Sequence, residues 1–285
     1  MRLYIALLAA LLGFIGLCLP AFAADRPMRV VTVGAPATEI VYALGAGESV
    51  VATDTTSTWP EVVSGLPKVG YMRALASEGI ISLKPDLIIA VEKSGPAPVL
   101  DSLRGLGIQV ITLPSLDQLE NLPEAISIAA KALGRQVEGE ELVAAVENDI
   151  ASIRHLAGAD HATIVFLMAV GHGQPISAGS NTTADEIINL VGGENPMAGY
   201  EGFKPVSSEV IAGDTSDYVL VPQSTLEHFG GVDGMKKHPS LGLHKAVQAD
   251  HVVTVSSSTI LGFGPRSASE IRELAAKLHS AETEQ

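Results

Sequence analysis

The chain has little sulfur and few aromatic side chains. It contains a single cysteine, Cys18, and aromatic residues make up 4% of its 285 residues. Cys18 lies in an apolar amino-terminal segment that we expect to be removed. The mature chain then has no thiol for a disulfide, a thiolate metal site or a nucleophile. Its core must be built from Val, Ile, Leu and Ala, which suit parallel strands covered by helices.

The chain also lacks the motifs of common catalytic centres. It has no nucleophile elbow, no H-E-x-x-H pair and no phosphate-binding P-loop. The glycines around His172 and at Gly45 and Gly47 do not have the spacing of a dinucleotide fingerprint. No spacing of Ser, His and Asp singles out a triad. We therefore expect that the protein is not an enzyme.

Positive charge is scarce, and histidine is confined to one half of the chain. There are 18 basic against 32 acidic residues, a net charge of -14. Such a surface repels nucleic acid, so no nucleic-acid partner is expected. All 8 histidines lie at or after His155. We therefore expect no zinc or manganese site with ligands from both halves of the chain.

The first residues have the pattern of a secretory signal peptide. Arg2 is followed by an apolar stretch from 3 to 19, then by Pro20 and the small-residue motif Ala21-Phe22-Ala23. We predict a signal peptide over residues 1–23. A membrane anchor is the alternative, but the apolar stretch is short for a span of about 20 residues. A lipoprotein processed at Cys18 is disfavoured by the bulky Leu17 before it.

The remaining chain contains an internal repeat. Glu78 is followed eight positions later by Asp86 and an apolar strand, and Glu209 is followed in the same way by Asp217. Earlier in each half, Thr38–Gly45 resembles Asp185–Gly192, and both predict short helices with an acidic start and a glycine stop. The repeat therefore predicts two similar lobes.

Strands and helices alternate within each half, which predicts an α/β fold. A periodic apolar pattern over 135–158 predicts one long helix between lobes at 24–134 and 159–285. The fold class is two Rossmann-like lobes with mainly parallel sheets joined by one long α-helix. A ligand cleft is expected at the carboxyl ends of the strands. The predicted strands are Val30–Val33, Val50–Thr53, Leu87–Val91, Val110–Leu113, Ile164–Val170, Tyr218–Val221 and Val252–Val255.

Three motifs resemble those of one class of substrate-binding proteins: Val33-Gly-Ala-Pro-Ala-Thr-Glu-Ile, the run from Ser77 to Ile88, and Leu261-Gly-Phe-Gly-Pro-Arg266. That class has two lobes joined by one backbone helix and serves ABC importers for vitamin B12, ferric siderophores, haem and some metal ions. Within it, the segment from Val69 to Gly79 is similar to periplasmic haem-binding proteins. The resemblance implies a monomeric periplasmic carrier of haem that delivers it to an inner-membrane ABC permease with its ATPase. A ferric-siderophore or cobalamin carrier is the alternative.

The resemblance places a haem-iron ligand at Tyr71, and tyrosinate is an established ligand of ferric haem. In an extended loop Arg73 projects to the same side as Tyr71, where its charge favours the phenolate. Arg73 also suits a haem propionate. His172, just past a predicted strand, is a second haem-contacting candidate. The alternatives are a loop tyrosine and a loop histidine bonded only to solvent.

Further residues are assigned to the haem slot and to the permease contact. Glu78 and Glu209, one in each lobe, are predicted to dock on permease arginines. Acids in a first helical turn also favour the helix dipole, with Ser77 and Ser208 as N-caps. Arg266 has no assigned role. The predicted apolar lining is Trp59, Met72, Phe203 and Phe229, with Phe263 as a further aromatic near a loop.

Overall fold

The amino-terminal half forms a parallel sheet of four strands in a computed structural model that describes residues 28–157, 162–169 and 174–283. Its strand order is β2-β1-β3-β4. β1 and β3 are buried along their whole length, as continuous β-branched runs require. The strands are β1 (Val30–Val33), β2 (Val50–Thr53), β3 (Leu87–Ala90) and β4 (Gln109–Thr112).

Four helices accompany this sheet and complete the first lobe. Three of them have a proline in the first two helical positions, where its fixed φ favours helix initiation and no N–H is missed. The helices are α1 (Ala35–Ala43), α2 (Ser77–Ser82), α3 (Ala97–Gly105) and α4 (Leu122–Leu133).

The carboxy-terminal half forms a five-stranded sheet with the order β7-β6-β5-β8-β9. β5, β8 and β9 are parallel, whereas β6 and β7 are antiparallel. The prediction of mainly parallel sheets is confirmed. The two antiparallel strands were not predicted, and Phe203 begins one of them. The strands are β5 (Ile164–Met168), β6 (Ile176–Ala178), β7 (Phe203–Pro205), β8 (Tyr218–Pro222) and β9 (Val252–Val255).

Seven described helices accompany the second sheet and form the second lobe with it. The last one runs back over the first half of the chain and contacts both α1 and the helix between the lobes. The helices are α6 (Thr183–Leu190), α7 (Ser208–Gly213), α8 (Gln223–His228), α9 (Val232–Lys237), α10 (Lys245–Gln248), α11 (Ser257–Leu261) and α12 (Pro265–Thr283).

One long helix, α5 (Gln136–Leu156), connects the two lobes, as the sequence predicts. Its 21 residues span about 30 Å. It packs between α4 and α12, and Gly139 allows the close approach to α4. A Cβ at that position would lie 2.5 Å from Ala130 Cβ. The connection is therefore held on both sides by packed helices.

The two lobes share one apolar core. A single cluster of buried side chains includes Val31 and Ile88 of the first sheet, Ile150 of α5, Phe166 of the second sheet and Ile271 of α12. A smaller cluster, which includes Val219 and Met235, fills the other side of the second lobe. Because packed cores resist continuous deformation, the shared cluster opposes large changes in the angle between the lobes.

Two local predictions from the repeat are wrong. Glu39 does not mark the acidic start of a helix, because it lies at the fifth residue of α1 and is 3% exposed. Ser77 and Ser208 are not N-caps, because each is the first helical residue. The caps are Ala76, which makes no side-chain bond, and Ser207, whose Oγ accepts the Val210 N–H.

Within the described ranges, no helix is both long enough and apolar enough to cross a membrane. The predicted signal peptide, with Cys18, lies outside those ranges.

Candidate functional site

The loop that carries Tyr71 is held by backbone hydrogen bonds on two sides. Gly70 C=O accepts the Thr55 N–H, which joins the loop to the segment after β2. Met72 C=O accepts the Gly95 N–H, which joins it to the segment after β3. Gly70 has a φ of 101°, a conformation that favours glycine. The loop therefore lies at the carboxyl edge of the first sheet with its backbone fixed.

Tyr71 itself is open to solvent on this fixed loop. The residue is 47% exposed. Among the described residues, its hydroxyl forms no hydrogen bond, and its ring makes no aromatic or cation contact. A buried tyrosine hydroxyl normally has a hydrogen-bond partner, whereas an exposed hydroxyl is free to bind a ligand. The Tyr71 ring is therefore not buried in the core and is accessible to a ligand.

The loop is not extended, so the condition on which Arg73 was expected to project to the same side as Tyr71 is not met. Residues 71–74 form a turn in which the Ala74 N–H donates to Tyr71 C=O at 2.8 Å. Met72 and Arg73 occupy the two central positions of the turn, so the alternation of an extended strand does not apply. Arg73 is exposed and forms no ion pair with any described residue.

Arg73 instead borders a small cavity between the lobes. The other walls are the 91–93 segment after β3, the 115–117 segment after β4, and Leu261 and Gly262 of the second lobe. The cavity measures about 30 Å³, which is room for roughly one water molecule. Lys93 and Asp117 form an ion pair in its wall. A ligand of porphyrin size would therefore have to lie outside this cavity, over its rim.

Trp59 lies beyond the carboxyl end of β2 and contacts the second lobe. It is 38% exposed, and the guanidinium carbon of Arg266 lies 4.1 Å from its ring centroid. Arg266 also makes a bidentate ion pair with Glu39, with distances of 2.9 and 3.2 Å. Sequence reasoning missed this group, because Glu39 was taken as a helix start. A lone acid inside the apolar run of α1 was the available signal.

The other predicted lining residues differ in exposure. Phe203 is 43% exposed on β7, with its ring centroid 5.9 Å from that of Phe166. Phe229 is half-buried and packs edge-on against His238. Phe263 is fully buried in the shared core and is therefore not an exposed lining residue.

Met72 and His172 are the remaining predicted haem-contacting residues. Met72 is 6% exposed, belongs to the buried core cluster and lines the small cavity. His172 lies outside the described residues. Its contact with a ligand stays a prediction.

Glu78 and Glu209 occupy matching positions in the two lobes. Each is the second residue of a short helix, α2 or α7, that leads into a central strand, and each is exposed. A hydrogen bond from Ser207 and one from its own backbone hold the pKa of Glu209 below its usual value. Glu209 is therefore ionised at neutral pH, as an ionic contact requires.

The described residues contain no group of three or more His, Cys, Asp or Glu side chains placed to hold a metal ion. Tyr71 and the residues at the boundary between the lobes form the candidate site.

Two α/β lobes joined by one long helix are the architecture of a class of two-lobed substrate-binding proteins. A model of the periplasmic binding protein family matches residues 30–259. The chain belongs to this family.

Solved structures of the same fold include haem-binding proteins. The periplasmic heme-binding protein RhuT from Roseiflexus sp. RS-1 is 36% identical, with a TM-score of 0.80 over 89% of this chain and 98% of that chain. The periplasmic heme-binding protein BhuT, in complex with two hemes, is 32% identical, with a TM-score of 0.78 over 89% and 98%.

Relatives in sequence are more varied. An uncharacterized ABC transporter substrate-binding lipoprotein, YvrC, of Bacillus subtilis is 27% identical over 259 residues, 89% of this chain and 81% of its own length. A vitamin B12-binding protein of Vibrio parahaemolyticus is 28% identical over 262 residues, 88% of this chain and 90% of its own length. The family and the similar structures are substrate-binding transport proteins rather than enzymes, and the family implies a membrane permease as partner.

Proposed function

We propose that this protein captures ferric haem between its lobes, with the Tyr71 oxygen as iron ligand, and delivers it to an inner-membrane ABC permease. The observation that supports the proposal most is the exposed Tyr71 hydroxyl, without a described partner, on a loop fixed at the carboxyl edge of the first sheet. The similarity to two heme-binding proteins, both above 30% identity, supports the choice of ligand.

Ferric iron itself favours the phenolate form of Tyr71. Metal ligands are bound in their deprotonated form, so Tyr71 binds iron as the phenolate. Arg73, exposed and unpaired within the described residues, is then available for a haem propionate, since guanidinium pairs with carboxylates in a bidentate manner. Trp59, Phe203 and Phe229 supply the apolar surface.

Cobalamin is the second candidate, favoured by the similarity to a vitamin B12-binding protein over most of both chains. The two ligands are distinguished by titrating the purified protein with ferric haem and with cyanocobalamin in parallel. A tyrosinate-type absorption spectrum with haem, and no binding of cyanocobalamin, supports the haem proposal. Saturable binding of cyanocobalamin with only weak, unspecific haem binding overturns it.

We also propose how the protein reaches the periplasm and which residues contact the permease. Residues 1–23 act as a cleaved signal peptide, and the mature monomer works in the periplasm without enzymatic activity. The two lobes are 24–134 and 159–285, with the connecting helix in 135–158. Glu78 and Glu209 make the contact with the permease, and His172 faces the bound haem.

A further inference from the structure

A buried carboxylate of the first lobe holds an arginine of the second. Glu39 is 3% exposed on α1, and Arg266 lies in the first turn of α12. The guanidinium donates through Nη2 to Glu39 Oε1 at 2.9 Å and through Nε to Oε2 at 3.2 Å. Nη2 also donates to Ser258 Oγ at 3.1 Å. All of these bonds fix the plane of the guanidinium, because a bidentate pair leaves it little freedom.

The chain around Arg266 is pressed against the first lobe. The Phe263 N–H donates to Leu116 C=O at 2.7 Å. A Cβ at Gly264 would lie 2.8 Å from Glu39 Oε2, and one at Gly262 would lie 3.0 Å from Pro36 Cγ. A side chain at position 264 would displace the Glu39 carboxylate, and the φ of 143° at Gly262 favours glycine. The segment 262–266 is therefore a fixed contact between the lobes.

The fixed guanidinium lies against Trp59, 4.1 Å from the ring centroid. The loop that bears Trp59 is itself fixed from the other side. Asp54, fully buried, accepts the Gly34 N–H at 2.9 Å and the Ser57 hydroxyl at 2.7 Å. Lys68 Nζ donates to Ser57 C=O at 2.9 Å. The indole thus has one face against Arg266 and 38% of the residue still exposed.

We propose that Arg266 is a positioning residue that holds the Trp59 indole as a preformed wall at the boundary between the lobes, against which a flat ligand such as haem packs. Glu39 neutralises Arg266, so the arginine acts through Trp59 and does not pair with a propionate. Since the wall is fixed before binding, less freedom is lost when the ligand arrives. The identity of the ligand as haem rests on the proposed function, whereas the placement of Trp59 against Arg266 rests on their contacts alone.

The geometry is tested without any ligand, because Trp59 is the only tryptophan of the chain. Its fluorescence therefore reports one site. Arg266→Gln and Arg266→Lys are compared with the native protein for quenching by acrylamide. Arg266→Lys keeps a positive charge opposite the buried Glu39, so it folds even if Arg266→Gln does not, but it lacks the planar group that stacks on the indole. The matched control is Arg272→Gln, on the same helix and 3.1 Å from Asp149.

In both Arg266 variants the quenching constant of Trp59 is expected to rise about twofold, with no change in the control. Haem is expected to dissociate about threefold to tenfold faster from the same variants, the loss typical of a displaced aromatic contact. Unchanged quenching in both variants overturns the geometry. If quenching changes but haem dissociates at the native rate, the ligand does not pack against Trp59. If the native protein binds no haem, the proposed function fails, and quenching still decides whether Arg266 positions Trp59.

Discussion

The carboxylates of Asp86 and Asp217 make equivalent hydrogen bonds in the two lobes. Asp86 Oδ2 accepts the N–H of Arg29, just before β1, at 2.9 Å. Asp217 Oδ2 accepts the N–H of Thr163, just before β5, at 2.9 Å. Each aspartate precedes the next parallel strand, so each joins the amino ends of two central strands. The internal repeat in the sequence is therefore a repeated structural unit.

Asp217→Asn is expected to lower the free energy of unfolding at neutral pH by about 0.5 to 1 kcal/mol, because the site is largely exposed. The Thr163 hydroxyl donates to Asp217 at 2.7 Å and is the main cause that holds the Asp217 pKa below its usual 3.8. A group with a lowered folded pKa stabilises above its unfolded pKa and loses that effect as pH falls through the folded value. Urea unfolding of both proteins between about pH 3 and about pH 7 measures this.

For Asp217→Asn, the difference in unfolding free energy from the native protein should shrink as the pH falls below 3.8, the usual pKa of this group. Asp101→Asn, which removes an exposed pair with Arg104, is the control with little effect at any pH. A difference for Asp217→Asn that stays constant over the whole pH range would show that its charge is not involved.

His244 and Asp214 form a buried pair in the second lobe. His244 is fully buried, and its Nδ1 accepts the Ala246 N–H, so the proton is on Nε2, which lies 2.9 Å from Asp214 Oδ1. Burial alone raises the pKa of Asp214, but bonds from His244 and Ser216 outweigh burial and lower it. His244→Ala leaves the buried Asp214 carboxylate with its bonds from Ser216 alone and is expected to cost about 2 to 4 kcal/mol of unfolding free energy.

Thermal and urea unfolding of His244→Ala measure that cost. His228→Ala is the control, since His228 is exposed at the end of α8. Equal stabilities of the two variants would contradict a structural role for the pair.

Gly70→Ala tests whether the loop backbone positions Tyr71. The φ of 101° at Gly70 is unfavourable for alanine, although a Cβ there would meet only Ala74 O at 3.7 Å. The cost is therefore backbone strain of about 1 to 2 kcal/mol rather than a clash. Haem affinity should fall about tenfold as the loop relaxes. Gly105→Ala, at a helix end with open space around it, should leave affinity unchanged. Equal affinities for both variants would refute the prediction.

Glu78→Gln combined with Glu209→Gln tests the permease contact. The double variant should bind haem as the native protein does but drive haem uptake at least about tenfold less well in vesicles that contain the permease, since two charge contacts are lost. Glu140→Gln with Glu141→Gln is the control, because both are exposed acids on α5. Uptake that is reduced equally by both pairs would indicate a loss of general negative charge.

The fold was largely predictable because its strands are short, buried and β-branched. Val30–Val33 and Val252–Val255 are predicted to the residue. β6 and β7 were missed, since Ile176–Ala178 and Phe203–Pro205 are three-residue strands with no alternating pattern. Strands this short depend on neighbours that only the folded chain supplies.

The site was less predictable than the fold. Tyr71 lies on an exposed loop, as expected. The turn at 71–74 was not predicted, and it removes the extended backbone on which the expected pairing with Arg73 depended. The bond between Glu39 and Arg266 joins residues 227 positions apart, which no local pattern reveals. Burial of Phe263 in the shared core is likewise a tertiary property.

Whether Tyr71 binds the haem iron is decided by the spectrum of ferric haem bound to Tyr71→Phe. Tyr218→Phe is the matched control, because Tyr218 begins β8 at the opposite, amino-terminal edge of its sheet. Native protein and control are expected to give the same tyrosinate-type absorption and electron paramagnetic resonance spectra, and Tyr71→Phe is expected to lose them. A tyrosinate-type spectrum that survives in Tyr71→Phe would show that Tyr71 is not the iron ligand.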